Sequence, residues 1–148
     1  MSERPELIAI DHDDYHAEHV GRLPDGRQFF LTAPFEPAGP DRPGGEYVAL
    51  YVFDAMGNLL EAKIDDFGSR AAMNEEARRK KHQDRLAELG DVSFERVEVK
   101  PFSVDRFGLQ FGLIVREPED EDDVFAVELL PGNYMAFFEP WDSGEYDT

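Results

Sequence analysis

Hydrophobic residues in this chain alternate with polar ones far more often than they recur at helical spacing. In EYVALYVFD, Glu46 to Asp54, both phases are apolar: Tyr47, Ala49, Tyr51 and Phe53 on one side, Val48, Leu50 and Val52 on the other. A strand buried on both faces reads this way, which predicts a central position in a sheet. AMGN then reverses the chain at Gly57-Asn58, and LLEAKIDDF returns beside it with Leu60, Ala62 and Ile64 facing one way. Upstream, His19 to Leu23 leads into Pro24-Asp25-Gly26 and then QFFLTAPFE. Pro presets φ and Gly accepts φ > 0, so this stretch predicts a hairpin. EPAGPDRPGG, Glu36 to Gly45, reads as a long connection between strands of one domain.

Helical spacing dominates once, from Ser69 to Leu89. This stretch lacks Pro, has Ser69 or Asn74 to cap its start and Gly90 to stop it. Its apolar stripe is thin: Ala72, Met73, Ala77, Leu86 and Leu89. Alternation then resumes. In VSFERVEVKPF the apolar phase slips between Phe94 and Val97, which predicts a β-bulge near Glu95. In RFGLQFGLIV, Phe107, Leu109, Phe111, Leu113 and Val115 share one face and two glycines lie on the other. A bare face of this kind marks a close neighbour, another backbone or a helix. VFAVELL and YMAFFEP predict a last hairpin around Pro131-Gly132-Asn133. The expected fold is α+β: a mostly antiparallel sheet of seven or eight strands, with one long helix inserted after the fourth strand. The 148 residues fit a single domain.

Composition narrows the setting. The formal charge is −18, from 33 acids against 15 bases. Such a surface repels nucleic acid and anionic membrane and favours a basic or mixed-charge protein partner. There is no cysteine, so disulfides and thiolate metal sites are excluded. MSERPELIAI lacks the apolar core of a signal peptide. No apolar run approaches the roughly 20 residues that span a bilayer. The expectation is a soluble, cytoplasmic protein.

Little in the chain is overtly chemical. HDDYHAEH, His12 to His19, holds three of the four histidines among carboxylates. His12, His16 and His19 would align on a helix, and imidazole with carboxylate suits zinc. The spacing matches no zinc signature, so the preferred reading is a polar approach to the first hairpin. EPEDEDD, Glu117 to Asp123, packs six carboxylates into seven residues but lacks the glycine and terminal Glu of a calcium loop. Asp120 and Asp122 in this run are candidates to meet a basic partner. ARRKKHQDR concentrates a third of the positive charge; its order favours ion pairs within the helix. No nucleophile motif, phosphate loop or dinucleotide fingerprint is present, and no cofactor is expected. Trp141 and Tyr146 are large rings in an acidic tail, expected to dock on the sheet or to anchor a partner.

Three segments, YHAEHVGRLPDGRQFF, YVALYVFDAMGNLLEAKID and PWDSGEYDT, resemble small bacterial proteins labelled formate hydrogenlyase regulatory protein. Tyr15 ahead of Gly21-Arg22, Phe53-Asp54 before a Gly turn, FGLQFGLI, Pro140-Trp141-Asp142 and Tyr146-Asp147-Thr148 carry the similarity. The resemblance implies a regulatory role and brings no functional residue with it. Two functions follow as expectations. The first is a binding or regulatory protein that meets a basic or mixed-charge protein. The second is a metal-binding protein or metal-dependent enzyme built on His12, His16 and His19.

Overall fold

The structure is a computed structural model that describes residues 3–41 and 43–148. In chain order its elements are β1 (Ile8–Ile10), β2 (Val20–Arg22), β3 (Gln28–Thr32), β4 (Phe35–Glu36), β5 (Gly45–Phe53), β6 (Leu59–Asp66), α1 (Glu75–Glu88), β7 (Ser93–Phe94), β8 (Val97–Val99), β9 (Phe102–Arg106), β10 (Leu109–Arg116), β11 (Ala126–Leu130) and β12 (Ala136–Phe137). All the strand pairings are antiparallel. Among the described residues no helix is long and apolar enough to cross a membrane.

Strand β5 organises the molecule. It pairs with β3 along one edge and β6 along the other. Its two apolar phases serve two cores. Ala49, Tyr51 and Phe53 join Phe30, Val20 and residues of β1, β8, β10, β11 and β12. Val48, Leu50 and Val52 join Phe29 and Leu31 on the opposite face, where Leu86 of α1 and its C-cap Leu89 pack. The six-stranded sheet around β5 is thus the middle layer. The sheet β12-β11-β10-β9 covers one face and α1 lies on the other.

The mostly antiparallel α+β pattern is present, but the strand count and the helix position differ from expectation. Twelve strands form three sheets among the described residues, and α1 follows the sixth strand rather than the fourth. Three local causes account for this. Ile8–Ile10 is too short to signal a strand alone, and becomes one by pairing with the distant β8. QFFLTAPFE is interrupted at Ala33-Pro34, although its pairing to β5 continues without a slip: Thr32 faces Ala49 and Phe35 faces Glu46. The phase slip near Glu95 is a change of sheet instead of a bulge: β7 pairs with β2 and β8 with β1.

Two further expectations shift. Phe107 is not part of a strand. Phe107 and Gly108 both have positive φ, 54° and 75°, and form the β9–β10 turn. Phe107 stacks on Tyr47, with ring centroids 5.9 Å apart. The helix begins five residues late for Ser69, with Asn74 as its cap. The Asn74 side chain accepts from Ala77 N–H at 3.0 Å.

Polar contacts lock the layers. Arg85 of α1 makes a two-point pair with Asp65 of β6, both N–O distances 3.0 Å. Gln28, fully buried, donates to the carbonyls of Asp54 and Glu98 at 3.1 and 2.9 Å and accepts from Glu98 N–H at 2.7 Å. One side chain thereby satisfies the outer edge of β8 as a neighbouring strand would. Gly21 explains the closeness of β2 and β7: a Cβ there would lie 1.9 Å from the Ser93 carbonyl oxygen.

Candidate functional site

The segment from His12 to His19 is neither strand nor helix. Asp13 folds it into a compact turn. Its carboxylate accepts from Tyr15 N–H at 2.8 Å and Ala17 N–H at 3.0 Å, which sends Ala17 into the core. The Tyr146 hydroxyl donates to the same carboxylate at 2.5 Å and accepts from His16 N–H at 3.2 Å. Burial works to raise the Asp13 pKa. The bonds from Tyr146, Tyr15 and Ala17 outweigh it and hold the carboxyl below its ordinary range. Burial, with the Asp13 bond second, pushes the Tyr146 phenol up to about 12.

Beside this turn lies a notch of about 310 Å³, within the size range of small binding pockets. Tyr15 and His16 stack at 3.8 Å between ring centroids, His16 meets Tyr134 at 4.9 Å, and Tyr134 stacks on Phe35 at 5.8 Å. These four rings form a continuous ladder. The β3 end supplies Leu31, Thr32 and Ala33, and the Thr32 and Tyr134 hydroxyls share a 2.6 Å hydrogen bond. His19, His82 and Glu18 complete the lining.

Electrostatics favour neutral imidazoles in this notch. His19 and His82 contact edge to face at 4.8 Å. Burial lowers both. His82 falls to about 4, helped by His19 and Arg78 and opposed by Glu18. His19 is opposed by Glu18 and further lowered by His12. His16 is also lowered by burial, against the pull of Asp13. At neutral pH the lining therefore presents one formal charge, the Glu18 carboxylate. Glu18 is 61% exposed, and the one basic group within 4.0 Å of its carboxylate among the described residues is the His19 imidazole, which is neutral at this pH.

On the far side of Tyr15, Asp11, Asp13, Glu145 and Asp147 border an open cleft of about 540 Å³. Tyr15 lines both depressions and is 63% exposed.

The predicted site residues scatter. His16 and His19 line the notch; His12 lies outside it, stacked on Phe94 at 5.5 Å. Among the described residues no three His, Asp or Glu side chains are grouped to hold a metal ion. Trp141 and Tyr146 both engage their own chain. Trp141 packs on the main core, its indole N–H donates to the Glu3 carbonyl at 3.1 Å, and its own carbonyl accepts from Ala9 N–H. Asp120 and Asp122 are exposed in the β10–β11 loop, at the opposite end of β11 from Tyr134. Asp123 orders that loop by binding Arg116 at 2.9 Å and Glu119 N–H at 3.1 Å.

Sequence reasoning missed Tyr15, Glu18, Phe35 and Tyr134 as neighbours. His82 carried a usable signal: with Leu86 and Leu89 it lies at i, i+4, i+7 on α1, the spacing of the sheet-facing stripe. Comparison of the chain with protein-family models, curated proteins and solved structures found no match.

Proposed function

We propose that this is a non-catalytic binding protein that acts by engaging a basic or mixed-charge protein partner. The observation that carries the reading is Tyr15: an exposed ring standing between an aromatic notch and a carboxylate-lined cleft. Exposed tyrosines flanked by charge are favoured anchors in protein interfaces. The −18 charge would steer a basic partner toward this face and repel nucleic acid and anionic membrane. The described site lacks a nucleophile–base pair, and each imidazole is occupied by ring contacts. The resemblance to regulatory proteins agrees with a role exercised through a partner.

The test is a pull-down of the tagged protein from its native host at low and moderate salt, read by mass spectrometry. One stoichiometric partner with a basic surface, lost at moderate salt and lost in Tyr15→Ala, is the expected result. Capture that ignores both salt and Tyr15 would refute the reading.

A further inference from the structure

The lining of the notch specifies more than a generic contact. We infer that the notch holds the guanidinium group of an arginine side chain presented by the partner. This inference rests on the reading of the protein as a binder of basic surfaces.

Four observations point to this chemistry. First, the Tyr15–His16–Tyr134–Phe35 ladder offers ring faces, on which a planar cation stacks favourably. Second, among the described residues the lining contains Glu18 and no Lys or Arg, and Glu18 has no strong partner. Arg78, the basic residue that acts on His82, is already paired with Glu75 at 2.6 Å. Third, a neutral imidazole carries one acceptor nitrogen, so His19 and His82 add acceptors without adding positive charge. Fourth, the volume suits one side-chain head rather than a peptide segment.

Arginine fits this set better than lysine. Its guanidinium is flat, stacks on rings and carries five donors in a fixed fork, whereas an ammonium is a compact, strongly hydrated point charge. The acceptors here are distributed around a ring-walled slot, which a fork reaches and a point does not. A partner side chain is the occupant named because the carboxylate cleft beyond Tyr15 continues the acidic surface away from the notch. A polypeptide carrying further basic residues spans both depressions.

The experiment uses the full chain and three blocked tripeptides, acetyl-Gly-X-Gly-amide, where X is arginine, citrulline or lysine. Imidazole C–H resonances report binding; four histidines are few enough to assign by single His→Gln variants. The arginine peptide should displace the His16, His19 and His82 signals saturably. The citrulline peptide, of the same shape without charge, should bind at least about tenfold more weakly. Glu18→Gln should reduce the arginine peptide to the citrulline level while leaving the melting temperature unchanged; the unliganded His19 and His82 signals move with the lost carboxylate and serve as the new baseline. Absence of saturable displacement, equal binding of arginine and citrulline, or lysine binding as well as arginine would each overturn the assignment. Free arginine binding more tightly than the blocked peptide would also overturn it, in favour of a small molecule. A Tyr15-dependent partner found alongside failed arginine-peptide binding would sink this inference alone. Arginine-peptide binding without any Tyr15-dependent partner would sink the broader reading and the partner as the source of the arginine, leaving the guanidinium chemistry of the notch.

Discussion

Replacing Gln28 with leucine tests whether one buried amide holds two sheets together. The side chain sits at 0% exposure, donates to the Asp54 and Glu98 carbonyls and accepts from Glu98 N–H. Leucine conserves much of the volume, so packing loss is small. The Asp54 carbonyl keeps its bond from Gly57 N–H at 3.1 Å. The Glu98 N–H and C=O, turned away from β1, lose their partner. An orphaned buried polar group costs about 1–3 kcal/mol. Two such groups on a half-buried strand put the loss at about 2–4 kcal/mol. Urea unfolding should show the midpoint falling by about 1–2 M at unchanged slope, with Tm lower by about 4–12 °C. Gln28→Glu should be worse at neutral pH, because it sets a carboxylate against two carbonyls. It should recover part of the loss in mild acid, where the carboxyl regains a proton to donate. A Gln28→Leu midpoint within about 0.3 M of the parent would show that β8 does not depend on this amide.

Four further outcomes follow from the same geometry. Tyr51 is buried with no hydrogen-bond partner for its hydroxyl among the described residues, and burial raises its pKa; Tyr51→Phe should raise stability by about 1 kcal/mol in urea unfolding. Tyr146→Phe should cost about 1–2 kcal/mol and loosen the 12–19 turn, seen as faster amide exchange at Tyr15 and Ala17, since it removes the donor to Asp13 and the acceptor for His16. His82 has its folded pKa depressed to about 4 from 6.5, so its contribution is complete above pH 6.5 and is lost as pH falls toward 4. Discounted for partial exposure, the loss is about 1–2 kcal/mol; the stability difference between parent and His82→Gln, measured from pH 7.5 to 4.5, should shrink in that window, and a flat difference would refute it. Gly21→Ala should cost more than about 3 kcal/mol, because its Cβ meets backbone that cannot yield; thermal melting reads this directly.

The local periodicities carried the architecture well where one strand sees two cores. Tyr47 to Phe53 displays both faces in its residue pattern, because both faces are buried and each selects apolar side chains. Ile8–Ile10 did not show itself, since three residues carry no period and its pairing partner lies far along the chain; Ser93–Phe94 read as strand, but not as a strand separate from Val97–Val99. Glu95 looked like a slip of phase for a physical reason: Phe94 and Val97 answer to different sheets. The site followed the same logic. Three of its histidines were visible as a cluster or a helix-face position, yet their grouping depends on α1 crossing the sheet beside β3. Tyr134 reaches the notch from the β11–β12 loop and Phe35 from the two-residue strand β4, and the course of both is set by tertiary contacts. Trp141 and Tyr146 were legible as large rings that would either dock on the sheet or anchor a partner; both pack on their own core, where the backbone of Trp141 and Gly144 bonds to Ala9 and Asp11.

The Tyr146 clamp on the 12–19 turn also has a meaning in time. Its bonds to His16 and Asp13 join residues 130 and 133 positions apart. A ribosome making about 5–20 residues per second releases the turn several seconds before the tyrosine that fastens it. Tyr134, a rung of the ladder, arrives nearly as late. A stalled nascent chain carrying only the first 133 residues should therefore fail to bind the arginine peptide, and binding by such a chain would contradict the clamp. The notch is in this sense a certificate of maturity: its rings come together only in molecules whose last strands have closed on the turn.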